Sequence, residues 1–278
     1  MSELIRESVV SGMFYPASRD SLSKMIATLL TQAEPQKRED KELFGLISPH
    51  AGYIYSGGCA AYGFKLLKGK NFDTIIVMGP SHQAYLDGAS VWRQGKYRTP
   101  LGDVEVDDES AQFLLEQDAN IQFYQAAHFQ EHSVEVQIPF LQYVLKNNFK
   151  IVPVVIGNQT LEYSKILADA IVNLIKSKDR KFLLIASSDL SHYHSDEVAK
   201  RLDNAVIKMI EKMDVEGMFS LIETGKGEAC GAGPIMVLLL TAKKMNANTI
   251  DILNVTNSGE VSGDKSRVVG YMSAAIYY

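Results

Sequence analysis

Short apolar runs alternate with longer segments of helical periodicity along most of this chain. The apolar runs predict strands at Phe44–Ser48, Thr74–Gly79, Gly88–Trp92, Ile151–Ile156, Phe182–Ser187, Ile250–Asn254 and Val268–Tyr277. Apolar residues at helical spacing predict helices at Asp20–Leu30, Gly57–Leu67, Asp107–Glu116, Glu131–Lys146, Leu161–Ser177, Asp196–Met213, Val215–Glu223 and Pro234–Met245. This alternation predicts an α/β fold with a mixed, largely parallel central sheet and helices on both faces. The last run has no helix after it, so we expect it to join the sheet as an antiparallel strand.

The length and the polar segments favour a single α/β domain over residues 1–278. The most linker-like stretch is Gln32–Lys41, with the sequence QAEPQKREDK. The roughly 30 residues before it are too few to fold alone. We therefore expect this stretch to be a surface loop within one domain.

The composition is that of an ordinary globular protein, with 46% hydrophobic residues, 22% charged residues and a net charge of -5. This balance gives no electrostatic reason to bind nucleic acid or an anionic membrane. No stretch approaches the roughly 18 apolar residues of a spanning helix, and residues 1–20 lack the apolar core of a signal peptide. The only cysteines are Cys59 and Cys230, so we expect reduced thiols and a cytoplasmic location.

Three of the six histidines lie just after a predicted strand, where an apolar run breaks into small and polar residues. His50 lies in SPHAGYIYSGG, His82 in MGPSHQAY and His192 in ASSDLSHYHS. Ligand sites in α/β sheets lie at the carboxyl ends of the strands, so we expect these rings to converge. Because neutral imidazole is a common metal ligand, the pattern predicts a metal site formed by His50, His82 and His192.

Three further residues are predicted to act beside those histidines. Asp189 can ligate a metal, orient a histidine or act as a base. We expect His132 to serve in acid–base chemistry or substrate orientation; a second zinc site with His128 is disfavoured because HSVE is not an HExxH motif. Cys230 precedes a glycine-rich helix start that should depress its pKa, which favours a thiolate ligand or nucleophile. The alternative for Cys230 is a small buried residue in a turn.

Other signatures for cofactors and nucleophiles are absent from the sequence. It contains no GxGxxG fingerprint, no P-loop, no GxSxG elbow and no CxxC pair. The helix after His50 is predicted to start near Gly57, where free backbone N–H groups would face an anion.

Six motifs in this chain resemble those of a known family. They are PHAGYIYSG, GPSH, the TPLG of residues 99–102, EHSVEVQIPFL, SSDLSHY and CGAGPI. They appear in the same order as in the Memo family, whose prokaryotic members are called AmmeMemoRadiSam system protein B. The resemblance runs from about residue 7 to the C-terminus.

The Memo family is similar in turn to class III, LigB-type extradiol dioxygenases, which are non-haem iron enzymes. This resemblance implies a three-layer α/β/α fold with one metal site at His50, His82 and His192. It also implies that Cys230, in the CG-x-x-P motif, lines the site and can bind iron or copper, with Asp189 in the matching aspartate position. Either His192 or Cys230 is then the third ligand. We expect Fe(II), with copper or zinc as alternatives.

One departure from the dioxygenases concerns the reaction. Those enzymes bind Fe(II) through two histidines and a glutamate, and no obvious glutamate completes this set here. The leading hypothesis is therefore a metal-dependent redox enzyme related to these dioxygenases and acting on a small molecule, with ring cleavage itself less favoured.

Two other functions are kept as alternative hypotheses. An animal member is associated with phosphotyrosine peptides, which implies a binding module whose cleft takes a peptide or small anion. A zinc-like hydrolytic centre is the third hypothesis. The prokaryotic family name also implies a functional link to an AMMECR1-like protein and a radical SAM protein.

Overall fold

The computed structural model describes residues 4–36, 38–145 and 147–278. Its strands are β1 Ile5–Arg6, β2 Leu43–Ser48, β3 Thr74–Pro80, β4 Ala89–Val91, β5 Lys96–Thr99, β6 Gly102–Glu105, β7 Ile121–Gln122, β8 Lys150–Ile156, β9 Phe182–Ser187, β10 His192–His194, β11 Thr249–Asn257 and β12 Val268–Tyr277. Its α-helices are α1 Arg19–Gln32, α2 Tyr53–Lys65, α3 Asp108–Leu115, α4 Gln125–Phe129, α5 Ile138–Val144, α6 Leu161–Ser177, α7 Asp196–Glu211, α8 Val215–Glu223, α9 Ala232–Lys244 and α10 Gly259–Ser262. A 3₁₀ turn at Glu135–Gln137 leads directly into α5.

The main sheet has a parallel centre. Strands β2, β9, β3 and β8 lie side by side and run in one direction. Strand β12 pairs antiparallel with β2 on one side, and β4 pairs antiparallel with β8 on the other. With β10 and β11 on β12 and β7 on β4, the sheet has nine strands within the described residues. The predicted α/β fold with a mixed central sheet is confirmed, as is the antiparallel last strand.

Helices cover both faces of this sheet. On one face Leu46 packs against α2, where a Cβ added to Gly63 would lie 3.6 Å from the Leu46 methyl carbons. On the other face α9 packs against Gly45, where an added Cβ would lie 2.7 Å from Leu238 Cδ1. Because successive residues of a strand point to opposite faces, these contacts place α2 and α9 on opposite sides. The predicted three-layer α/β/α arrangement is confirmed.

The start of α2 differs from the sequence prediction. The helix begins at Tyr53, so Gly57 and Gly58 lie inside it and neither presents a free first-turn amide. Gly57 instead allows close packing on α1, because an added Cβ would lie 2.8 Å from Leu29 Cδ1. The prediction of an anion-facing helix start near Gly57 is wrong.

The predicted helix Glu131–Lys146 also starts later than expected. Its α-helical part begins at Ile138, and Lys146 lies outside the described residues. The first residues are not helical because the Glu131 carboxylate accepts hydrogen bonds from the next two backbone amides.

The turn with the sequence TPLG joins β5 and β6 in a hairpin that the sequence pattern did not predict. None of the described helices is both long and apolar enough to cross a membrane.

We predict that Gly45→Ala lowers the free energy of unfolding by about 1–3 kcal/mol. The added methyl would lie 2.9 Å from the Leu184 carbonyl oxygen, a backbone atom of the neighbouring strand. The matched change Gly58→Ala should leave stability unchanged or raise it by up to about 1 kcal/mol, since it lies in a helix with no atom within 4 Å of the new methyl. Urea unfolding followed by circular dichroism measures both variants. Wild-type stability in Gly45→Ala would contradict this packing.

Candidate metal centre

Three ligand-type side chains meet beyond the carboxyl ends of the parallel strands. His50 follows β2, His82 follows β3, and Cys230 comes just before α9. One ligand atom of each lies within 4.8 Å of the other two. His50 Nε2 and Cys230 Sγ lie 3.2 Å apart. These separations suit a single metal ion with bonds of about 2.0–2.3 Å.

His50 is buried and is held from behind by a hydroxyl group. Its Nδ1 lies 2.9 Å from Oγ of Ser187, the last residue of β9, so its Nε2 is the atom that faces Cys230. Burial, followed by the nearby His132 and His82, lowers the pKa of His50 well below its ordinary value. The ring is therefore neutral at neutral pH and has a lone pair to offer a metal.

His82 is held by a carboxylate. Its Nδ1 lies 2.9 Å from Glu131 Oε1, and its backbone amide donates to Glu131 Oε2 at 2.5 Å. Burial alone would raise the pKa of Glu131, but hydrogen bonds from His82 and from backbone amides outweigh it and lower this pKa to about 2. The ionised carboxylate therefore fixes the His82 ring with Nε2 left for a metal, an arrangement common in metalloproteins.

Glu131 is a glutamate of the site that the sequence motifs did not reveal. Its ligand atom lies within 4.8 Å of those of His82 and His132, so these three form a second ligand group. However, its two oxygens already accept hydrogen bonds from His82 and from the amides of His132 and Ser133. Glu131 is therefore better suited to orient His82 than to bind a metal itself.

His132 lies against both site histidines. Its ring stacks on that of His82 at a centroid distance of 4.6 Å and is 5.4 Å from that of His50. Phe14, from the N-terminal segment, packs on the same ring at 4.8 Å. Burial lowers the pKa of His132 to about 4, so the ring is neutral at neutral pH and can accept a proton.

Asp189 forms hydrogen bonds with both His50 and Cys230. Its carboxylate accepts a hydrogen bond from the His50 backbone amide at 2.8 Å, and its own amide donates to Cys230 Sγ at 3.2 Å. Burial outweighs hydrogen bonds from the amides of His50 and Ala51 and raises the pKa of Asp189 to about 7. Among the described residues, Asp189 belongs to neither ligand group.

His192 also lies outside both ligand groups within the described part of the chain. Its Nδ1 is 2.8 Å from the Leu190 carbonyl oxygen. Because a carbonyl oxygen only accepts, the proton of the neutral ring lies on Nδ1 and the lone pair on Nε2. Burial lowers the pKa of His192, which favours this neutral form. The geometry thus groups Cys230, rather than His192, with His50 and His82.

A sequence model described as Memo-like protein matches residues 6–275 of the chain. The chain belongs to the Memo-like family. A MEMO1 family protein of Sulfurisphaera tokodaii is 41% identical over 281 residues, which span 97% of this chain and 98% of the relative. A MEMO1 family protein of Sulfolobus acidocaldarius is 40% identical, with the same coverage of both chains. The family predicted from the six motifs is confirmed.

A solved structure supports the fold of this Memo-like chain. The crystal structure of the uncharacterized protein JW3007 from Escherichia coli K12 aligns with a TM-score of 0.52. The alignment covers 84% of this chain and all of that chain, at 16% sequence identity. At this identity the likeness concerns the fold alone.

The environment of Cys230 in this Memo-like protein differs from the sequence prediction. Burial, followed by the nearby Asp189 carboxylate, raises the pKa of the Cys230 thiol, so the expected depression is wrong. Burial outweighs the Gly231 amide, which lowers this pKa but also donates to Ser188 Oγ, and the Gly233 amide donates to Gln159 Oε1. A bound metal ion is the kind of positive charge that deprotonates a buried thiol.

His128 is buried and, within the described part of the chain, belongs to neither ligand group. It is 1% exposed, with Nδ1 2.8 Å from the Tyr97 hydroxyl and Nε2 3.0 Å from Ser90 Oγ. Its ring also packs edge-on against Trp92 at 5.4 Å. These contacts occupy both ring nitrogens and explain why His128 does not join His132 in a second site.

We predict that His128 makes the protein sensitive to acid. Burial lowers its pKa from 6.5 to about 3, so between these values the unfolded chain binds a proton that the folded protein does not. Stability is therefore full above about pH 6.5 and falls as the pH approaches 3. Between about pH 7.5 and 4.5, His128→Gln should lose about 2–3 kcal/mol less unfolding free energy than the wild type. Parallel losses in urea titrations of the two proteins would contradict this assignment.

Proposed function

We propose that this Memo-like protein binds one redox-active metal ion, Fe(II) or copper, and uses it to oxidise or reduce a small molecule. The observation that carries the proposal is the convergence of ligand atoms from His50, His82 and Cys230 within 4.8 Å. Each imidazole also has its Nδ1 paired inside the protein, as metal-binding histidines do. Two imidazoles and a thiol make a donor set that suits copper, iron and zinc.

The residues around the ligands support proton transfer. A bound Fe(II) or copper ion would supply the electron-transfer chemistry, and the chain's own side chains would handle protons. His132 has a neutral ring against the two ligand histidines, and His192 keeps a lone pair on Nε2. Asp189, with a pKa of about 7, holds a proton near neutrality. We assign these three residues to binding, orientation and proton exchange.

The position of Glu131 separates this site from that of the ring-cleaving dioxygenases. In those enzymes a glutamate is a metal ligand. Here the carboxylate oxygens of Glu131 already accept hydrogen bonds from His82 and from two other backbone amides. A thiol stands in the third position instead. We therefore propose a redox reaction other than extradiol ring cleavage.

An uncharged groove lies beside the proposed metal centre. It has a volume of about 590 Å³ and is lined by Gln83, Gln125, Ala126, Phe129 and Gln130. Gln83 directly follows His82 and Gln130 directly precedes Glu131, so the groove adjoins the loops that hold the site. Amide groups and one aromatic ring suit a small, polar but uncharged substrate.

The backbone amides near the start of α2 favour the metal-dependent hypothesis over capture of a phosphopeptide or other anion. The Tyr53 amide donates to the Phe14 carbonyl oxygen at 2.7 Å, and the His50 amide donates to Asp189. These donors are therefore engaged within the protein.

The functional link to AMMECR1-like and radical SAM proteins stays a prediction from the family name.

Metal analysis after anaerobic purification tests the proposal. We expect about one iron or copper ion per chain, and a loss of affinity of more than about 100-fold in His50→Ala and Cys230→Ser, because even residues behind the ligands account for about 10–100-fold. Cys59→Ala is the matched control, since this buried thiol lies in α2 with Sγ 3.7 Å from the Asn254 carbonyl oxygen, and it should bind like the wild type.

Several outcomes would contradict this assignment. Absence of stoichiometric metal from the wild type would refute the metal centre. Zinc alone, with turnover of ester or amide substrates, would favour the hydrolytic hypothesis. Metal retained in Cys230→Ser but lost in His192→Ala would make His192 the third ligand.

A further inference from the structure

Ser187 lies directly behind His50, with three polar partners in a fully buried position. Its Oγ is 2.9 Å from His50 Nδ1, 2.8 Å from Gln137 Nε2 and 2.6 Å from the Ser133 carbonyl oxygen. A serine hydroxyl can donate one hydrogen bond and accept two. These three partners therefore account for its full capacity.

The direction of each of these hydrogen bonds follows from the chemistry of the partners. The Ser133 carbonyl oxygen can only accept, so the Ser187 hydroxyl proton points to it. Gln137 Nε2 can only donate, and it also donates to the Pro49 carbonyl oxygen at 3.0 Å, which fixes the orientation of the amide. The remaining position on Ser187 Oγ is an acceptor, and His50 Nδ1 must supply its proton.

We propose that Ser187 is a positioning residue that fixes His50 in the Nδ1–H tautomer, with the Nε2 lone pair directed at Cys230 Sγ. Gln137 supports this role by filling the second acceptor position of Ser187 and holding the carbonyl of Pro49, the residue before His50. The consequence for metal binding rests on the proposed function. The tautomer itself does not depend on a metal.

The same peptide segment supports the second histidine. The Ser133 carbonyl oxygen accepts a hydrogen bond from the Ser187 hydroxyl. The Ser133 amide donates a hydrogen bond to Glu131, which orients His82. Its hydroxyl donates to the Pro80 carbonyl oxygen at the end of β3. Both ligand rings are thus held with Nδ1 protonated, one by a neutral hydroxyl and the other by a carboxylate.

Loss of the Ser187 hydroxyl removes the acceptor at Nδ1. The other hydrogen-bonding partner of the His50 ring among the described residues is Cys230 Sγ, next to Nε2. The proton would then be favoured on Nε2, where it can point at the sulfur atom. This tautomer has no lone pair facing the other ligands, so metal binding must first move the proton.

Nuclear magnetic resonance of metal-free protein with ¹⁵N-labelled histidine tests the tautomer. Long-range ¹H–¹⁵N correlation distinguishes the two ring nitrogens, and His50→Gln identifies the His50 signals. We expect Nδ1–H for His50 in the wild type and a shift toward Nε2–H in Ser187→Ala. Ser187→Thr, which keeps a hydroxyl, should retain Nδ1–H. Ser164→Ala removes another buried hydroxyl, which lies in α6 and donates to the Thr160 carbonyl oxygen, and it should leave the His50 signals unchanged.

Anaerobic metal titration of the same variants provides the second readout. Ser187→Ala should bind iron or copper about 10–100-fold more weakly than the wild type, while Ser164→Ala binds equally well. Wild-type His50 in the Nε2–H form, or Ser187→Ala with unchanged tautomer or unchanged affinity, would overturn the inference. If Ser187→Ala does not fold, the wild-type tautomer and Ser187→Thr decide. A wild type that binds no metal refutes the proposed function, and the tautomer remains testable in the metal-free protein.

Discussion

Burial of the polar segment at residues 131–137 is the constraint on which the site depends. A buried polar group is costly unless it is hydrogen-bonded, and Glu131, Ser133, Glu135 and Gln137 are all at most 1% exposed. Glu131 is satisfied by the ring and amide of His82, and Gln137 by the groups around His50. Glu135 forms a buried ion pair with Arg6 and accepts from amides of the N-terminal segment. Satisfying this one segment therefore positions both histidine rings.

The sequence predicted the parts of the site that depend on local pattern. His50 and His82 were found because each follows a strongly apolar strand, and the carboxyl ends of parallel strands β2 and β3, with β9 between them, lie at the same edge of the sheet. The choice between His192 and Cys230 could not be made, since His192 begins the short strand β10, Cys230 lies in the loop before α9, and tertiary packing sets both positions. Glu131 was missed because its partner, His82, is 49 residues away and no local pattern links them.

The site combines imidazole rings with groups that hold protons near the ligands. The two ligand rings differ in what stands behind them, a hydroxyl for His50 and an ionised carboxylate for His82. A carboxylate acceptor makes an imidazole a stronger electron donor than a hydroxyl does. The half-buried thiol of Cys230 adds a soft ligand. This donor set differs from the two histidines and one glutamate of the dioxygenases, in line with the proposed redox reaction.

X-ray absorption spectroscopy of protein loaded with iron or copper under anaerobic conditions tests the ligand set most directly. We predict one sulfur scatterer at about 2.3 Å together with nitrogen scatterers at about 2.0–2.1 Å that carry the outer-shell pattern of imidazole, taking the distances of a comparable zinc site as a guide. The sulfur contribution should disappear in Cys230→Ser and persist in Cys59→Ser. A spectrum of wild-type protein with only nitrogen and oxygen neighbours would contradict the assignment of Cys230, and with it the centre formed by His50, His82 and Cys230.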